Sequence, residues 1–348
     1  MAASIIGSAA MTPSAGTNTG EHLTPELFMT LSRVSEMALS PDGKTAVYAV
    51  SFPDVKTNKA TRELFTVNLD GSGRKQITDT ESNEYAPAWM ADGKRIAFMS
   101  NEGGSMQLWV MNADGTERRQ LSNIEGGITG FLFSPDEKQV LFTKDIKFGK
   151  RTKDIYPDLD KATGRIITDL MYKHWDEWVE TIPHPFMITT GKDIMEGEPY
   201  EAPMKPWSGI EDFSWSPDGQ NIAYASRKKT GMAYSLSTNS DIYIYNLASG
   251  RTHNISEGMM GYDTYPKFSP DGKSIAWISM ERDGYESDLK RLFVADLATG
   301  KRTHVNPTFD YNVDMIQWAP DSKGIYFLAC KEAETNLWEI TLKTGKIR

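Results

Sequence analysis

The chain has 348 residues, a net charge of -9, and 39% hydrophobic and 11% aromatic residues. That acidic balance argues against nucleic acid and anionic membrane surfaces, both of which attract basic faces. No apolar run reaches the ~18 residues of a membrane span, and a lone cysteine, Cys330, excludes an internal disulfide and a thiolate zinc cluster.

Residues 1–22 read as a disordered tail or a signal-peptide remnant. Met1–Met11 is small and apolar without a basic start, and Thr12–Glu21 is small and polar. A periplasmic or secreted location is expected, with the cytoplasm as the alternative. Folded structure is expected from Leu23, opening with a short helix over Pro25–Arg33. Thr24 stands at its N-cap and proline at N1.

A phrase then recurs. SPDGK stands at Ser40–Lys44 and Ser269–Lys273, with variants at Met90–Lys94 (MADGK), Ser134–Lys138 (SPDEK), Ser216–Gln220 (SPDGQ) and Ala319–Lys323 (APDSK). Proline presets φ for a tight turn, aspartate can bond the backbone ahead of it, and glycine accepts positive φ. An apolar or aromatic strand end precedes the turn, as at Trp89, Trp215 and Trp318. β-rich strands follow at Thr45–Val50, Arg95–Ser100, Gln139–Thr143, Asn221–Ser226, Ser274–Ser279 and Gly324–Ala329. Third strands alternate with period two at Glu63–Leu69, Gln107–Asn112, Asp241–Leu247, Arg291–Leu297 and Asn336–Leu342. Glycine-bearing hairpin turns and a short polar fourth strand close each unit. Six copies at a period of ~40–50 residues predict an all-β fold. It is a β-propeller of four-stranded antiparallel blades, with six blades visible and seven or more in the parent protein.

The third repeat is stretched, since Pro135 to Pro217 is nearly twice the other intervals. His184–Thr189 still reads as its third strand and Thr190-Gly191 as its second turn. The blade is therefore expected to be intact, with a partly helical insertion at about 145–182 between its second and third strands. Insertions of this kind are surface loops and often functional ones. The sixth repeat keeps only Ile347 and Arg348 for its fourth strand. The natural polypeptide is expected to continue; the rival is a six-bladed ring closed by an N-terminal strand.

Leu23–Lys44 (LTPELFMTLSRVSEMALSPDGK) resembles the opening of bacterial peptidases of the prolyl oligopeptidase family, serine peptidases of clan SC. The insertion, with DIYPDLD from Asp154 and RIITDLMYKHWDEW ending at Trp178, is similar to the dipeptidyl-peptidase 5 and acylaminoacyl-peptidase-like branch. The resemblance runs from Leu23 to Arg348. It implies that residues 23–348 are an N-terminal propeller that admits short peptides to a separate α/β-hydrolase domain. That domain is expected to lie outside this chain. Consistently, no serine here has glycine two residues before and two after, the elbow such a nucleophile needs. No catalytic residue, metal or cofactor is expected, and the Asp-Gly turns lack a calcium-loop pattern. The implied partners are the α/β-hydrolase domain of the same parent polypeptide and short peptides, with a homodimer left open.

Met171–Glu180 is the candidate substrate-binding segment: His174, Trp175, Asp176, Glu177, Trp178 and Glu180. If it is helical, Asp176 and Glu180 share one face a turn apart and could hold a peptide's free amino group. The dipeptidyl-peptidase 4 branch uses a propeller glutamate pair in this way, though that pair does not map onto this chain residue by residue. The plainer reading has Trp175 and Trp178 anchoring the insertion while the carboxylates face water. Trp89, Trp215, Trp277 and Trp318 read as core, Cys330 as a buried thiol, and Arg118-Arg119 and Lys228-Lys229 as solvated turn charges. The function expected is the non-catalytic, substrate-gating propeller of a serine exopeptidase or oligopeptidase. The alternative is a TolB-like periplasmic propeller that binds protein partners.

Overall fold

A computed structural model describes residues 22–348. The tail or signal-peptide reading thus falls outside the described residues, His22 excepted. A helix over Pro25–Thr30 opens the fold, shorter than the sequence suggests, and Thr24 Oγ1 accepts from the Leu27 N–H (3.2 Å). Among the described residues, six antiparallel blade sheets follow one another along the chain, with a small two-stranded sheet inside the third repeat. The first blade is built from Arg33–Leu39, Thr45–Asp54, Lys59–Asn68 and Lys75–Gln76. The sixth is built from Asp314–Trp318, Gly324–Lys331, Glu334–Thr341 and Lys346–Ile347. First strands of blades one and two, four and five, and five and six pack side by side, as the inner edges of neighbouring propeller blades do. They are seven residues long in blade one, six in blades two and five, and five in blade six. In blade three (Gly130–Phe133) the first strand has four residues, and in blade four (Phe213–Trp215) it has three.

An up-and-down sheet places its connections alternately on two faces. The SPDG-type and glycine turns share one side, the turn face. Connections from second to third strand, and from blade to blade, share the other, the loop face.

On the turn face the repeated phrase is a local hydrogen-bond circuit. Ser40 Oγ donates to Asp42 Oδ1 (2.7 Å) and accepts from the Thr45 N–H (2.9 Å). Ser134, Ser216 and Ser269 repeat the circuit with Asp136, Asp218 and Asp271. The serine hydrogen bond, joined by a backbone N–H, holds each of these four carboxyls below its usual range. Gly43 takes φ +69°, which explains the glycine, but Glu137 and Ser322 take the same left-handed conformation at φ 57° and 59°.

Bulges stitch the blades together. First strands of blades one, two, five and six shift register around Glu36, Ala86, Tyr265 and Met315, all at positive φ. The bulged Ala86 N–H donates to Glu36 Oε2 of the previous blade (2.8 Å), and the Tyr265 N–H to Asp212 Oδ1 (2.8 Å). Indoles do the same, with Trp215 Nε1 donating to the Leu132 carbonyl (3.2 Å) and Trp318 Nε1 to that of Lys267 (2.8 Å). Apolar packing fills the spaces between sheets. Trp277, fully buried, sits among Ala223, Ala225, Ile242 and Phe268 of blades four and five. Trp215 and Trp318 are buried as expected, whereas Trp89 is half-buried.

Three expectations, and the reasoning behind a fourth, need correction. The third blade has three strands, Gly130–Phe133, Val140–Lys147 and Thr181–Met187, and its fourth is reduced to one bridge between Phe186 and Asp193. The chain leaves that bridge for a long crossing to blade four. Short fourth strands are general, since Lys75–Gln76 and Arg119–Gln120 are two residues each, so brevity at the sixth blade says nothing of the chain end. The first and sixth sheets each use four strands of their own, so no N-terminal strand is donated among the described residues. Cys330 is exposed, because period two turns Ala329 inward and Cys330 outward.

Arg119 is exposed as expected, but the other three paired basic residues are not simply solvated. Arg118 bonds Glu84 (2.8 Å) and Glu102 (2.7 Å) while stacking over Phe98 and Trp109. Lys228 pairs with Glu198 above the Tyr243 ring, and Lys229 Nζ donates to Asn239 Oδ1 (2.6 Å).

Candidate functional site

Elaboration is confined to one sector of the loop face. Second-to-third-strand connections span 55–58, 101–106 and 332–333 in blades one, two and six. In blades three, four and five they span 148–180, 227–240 and 280–290. The crossing from blade three to blade four, 194–212, joins them on this side.

The insertion leaves and returns on a paired ladder from Leu141↔Met187 to Lys147↔Thr181, so its ends are fixed to the blade. One helical turn, Thr152–Ile155, is held by Asp154, which accepts from the Arg151 N–H (2.7 Å) and pairs with Lys147 (2.7 Å). The HWDEW segment is not helical. Lys173–His174 pairs with Glu177–Trp178 in a small hairpin, with Trp175 at φ 50° in its turn. The Val179 N–H donates to the Tyr172 carbonyl (3.0 Å), so these donors serve the cross-strand ladder instead of a helix. Side-chain anchoring in opposite directions decides the matter over weak local preference.

Six candidate residues therefore separate into three groups. His174 turns inward and is buried against Glu201. Trp178 and Glu180 work inside the insertion: Arg165 lies 4.4 Å over the Trp178 ring and bonds Glu180 Oε1 (3.1 Å), and Lys173 covers the same ring. They border a cavity of about 430 Å³ within the insertion, with Phe148, Ile166 and Met171. Trp175, Asp176 and Glu177 form the exposed tip. Asp176 and Glu180 are thus not a pair on one face.

The tip meets a residue that sequence reading missed. Trp207, from the 194–212 crossing, packs against Trp175 with ring centroids 4.7 Å apart and planes at 59°. Both rings stay open, at 69% exposure for Trp175 and 73% for Trp207. Lys205 lies 3.9 Å from Glu177 and 3.7 Å from Asp145 at the base of the pair. Only the lone Trp-Ser-Gly in a proline-rich crossing marks Trp207 in the sequence.

The sector is tied onward to blade five. Asp283 accepts from the N–H groups of Thr238 (2.8 Å) and Asn239 (3.1 Å) and from Ser237 Oγ. Burial works against its charge, but these bonds and nearby Lys229 prevail and hold its carboxyl below the usual range. Among the described residues no group of three or more His, Cys, Asp or Glu side chains converges as a metal site would. The arrangement suits recognition of a positively charged, partly apolar ligand, through exposed carboxylates beside two indole faces.

The family model for the TolB β-propeller domain matches residues 31–183. Dipeptidyl-peptidase 5 of Porphyromonas gingivalis is 98% identical over 100% of this chain, and that of Porphyromonas endodontalis 56% identical over 97%. The chain spans about half the length of these curated relatives, 52% and 50%. Acylaminoacyl peptidase of Pyrococcus horikoshii superposes with a TM-score of 0.65 at 17% identity, over 92% of this chain and 46% of that one. The β-propeller domain of the Trilobed protease from Pyrococcus furiosus gives 0.56 at 18% identity, over 92% and 83%. At those identities the structural likeness shows the fold alone. Repeats, sheets and relatives converge on one assignment: the chain is a TolB-type β-propeller domain, related over its whole length to dipeptidyl-peptidase 5.

Proposed function

We propose that this domain gates and positions short peptides for a serine peptidase whose α/β-hydrolase domain belongs to the same polypeptide. The loop-face sector of blades three to five looks onto the peptide in this reading. One observation carries it: the long connections, the open Trp175–Trp207 pair and the exposed tip carboxylates, of which Glu177 already pairs with Lys205, gather in a single sector. A role in peptide cleavage is supported by the relatives named dipeptidyl-peptidase 5. Asp176 and Glu177 receive the peptide's terminal ammonium through charge-assisted hydrogen bonds. Trp175 and Trp207 cover the adjoining carbon atoms and add cation–π attraction. Glu180, Trp178 and His174 shape the insertion and do not touch the peptide. A periplasmic or secreted location belongs to the same proposal and is checked by cell fractionation.

The test is the double variant Asp176→Asn, Glu177→Gln in the full-length enzyme. KM for dipeptide substrates with a free amino terminus should rise ~10-fold or more while kcat stays within ~2-fold, as loss of uniform binding requires. An unmoved KM removes the tip from substrate binding.

A further inference from the structure

A hairpin with two ladder pairs does not hold itself in water. Its position must come from elsewhere, and three segments meet at its base. Glu201, from the 194–212 crossing, is fully buried. His174 Nε2 lies 3.0 Å from Glu201 Oε2, and the Tyr234 hydroxyl, from the helix Gly231–Leu236, donates to Glu201 Oε1. The Lys205 N–H also donates to Oε1 (3.2 Å), and Ser226 Oγ donates to the Glu201 carbonyl (2.8 Å). The rings of His174 and Tyr234 are 5.3 Å apart, and Arg227 covers the Tyr234 ring at 4.7 Å. Tyr234 also packs with Met171 and Ile182, the apolar foot of the hairpin. A buried carboxylate is tolerable only with its lone pairs met, so the His174, Tyr234 and Lys205 contacts to its two oxygens are needed. Burial and the charge of Glu201 push the Tyr234 phenol far above its usual value, so it remains a donor at any working pH.

We infer that Glu201 and Tyr234 are positioning residues: they clamp His174 and so fix the insertion hairpin, presenting Trp175, Asp176 and Glu177 beside Trp207. The clamp is a property of this chain. Its consequence for peptides rests on the function proposed above, and the two are tested separately.

In the chain itself, Tyr234→Phe removes one oxygen and Glu201→Ala the whole acceptor. Amide hydrogen exchange over 171–180 should rise ~10-fold or more in both, with strand 221–226 unchanged. Glu201→Gln, which keeps the shape and one acceptor, should restore part of the protection. The near-ultraviolet circular dichroism of the Trp175–Trp207 pair should collapse along with the protection. Unchanged exchange at the hairpin, or equal loosening of hairpin and ring, overturns the clamp. In the full-length enzyme, Tyr234→Phe should raise KM more than it lowers kcat. Raised exchange with an unmoved KM leaves the clamp standing and refutes the peptide-binding role of the tip.

Discussion

The turn face and the loop face grow from the same six repeats and come out unlike. On the turn face, structure is decided within five residues: a serine, an aspartate two positions on, and a backbone N–H. On the loop face it is decided by residues far apart in the chain, such as His174, Glu201 and Tyr234. The lesson is a division of labour. Uniform local chemistry builds the blades, and long-range contacts in three neighbouring blades build whatever is particular to this protein.

The comparison is easiest to break with two tryptophans. Trp277, buried between blades, should lose ~3–5 kcal/mol on replacement by alanine. Trp207→Ala, on the loop face, should stay within ~0.5 kcal/mol of the parent chain. Urea unfolding measures both; a costly Trp207→Ala would make the platform part of the ring's stability.

Proton linkage offers a finer test, because Asp263 and the turn-face aspartates slope in opposite directions. Asp263 begins its strand at the loop-face end, and burial pushes it up to about 7, whereas Arg118 neutralises Glu84 at the matching register of blade two. An aspartate in the unfolded chain titrates near ~4. The folded state therefore holds the Asp263 proton more tightly. Its contribution is complete below the unfolded value and is lost as pH rises through about 7. Asp263→Asn should stabilise the chain at pH 8 by on the order of 1–3 kcal/mol and flatten the fall in stability between pH ~4 and ~7. The serine-bonded aspartates of the turn face, held low, contribute above the unfolded value and lose their contribution as pH falls below it. Thermal melts across pH 3–8 check both signs; an unaltered slope in Asp263→Asn would assign the linkage elsewhere.

A modest effect is expected on the turn face itself. Ser216→Ala breaks the bonds to Asp218 and to the Asn221 N–H and should cost about 1 kcal/mol in a urea titration. Blade six has Ala319 at this position naturally, so Ala319→Ser should return a gain of similar size.

Legibility in the sequence followed the same division. Second strands at 95–100, 221–226 and 274–279 were readable to the residue, because period-two patterning and the turn phrase bracket them. The insertion was visible as a stretched interval, but its hairpin was not. A helical spacing of Asp176 and Glu180 looks as plausible as a turn at Trp175 until Glu201 and Arg165 are seen pulling His174 and Trp178 apart. Thr78, Ser122, Ser256 and Asn306 were equally hidden. Each accepts a third-strand N–H fourteen residues earlier, a repeated tie with no motif of its own.

Inner strands of four and three residues in blades three and four, beside five to seven elsewhere, make the wall around the axis uneven. These two strands also lack the bulge that lengthens their counterparts. At their loop-face ends these two blades carry irregular backbone, including the turn Ile210–Asp212, where the other first strands keep a paired ladder, so the ring segment below the clamped hairpin has the fewest cross-strand bonds of its own.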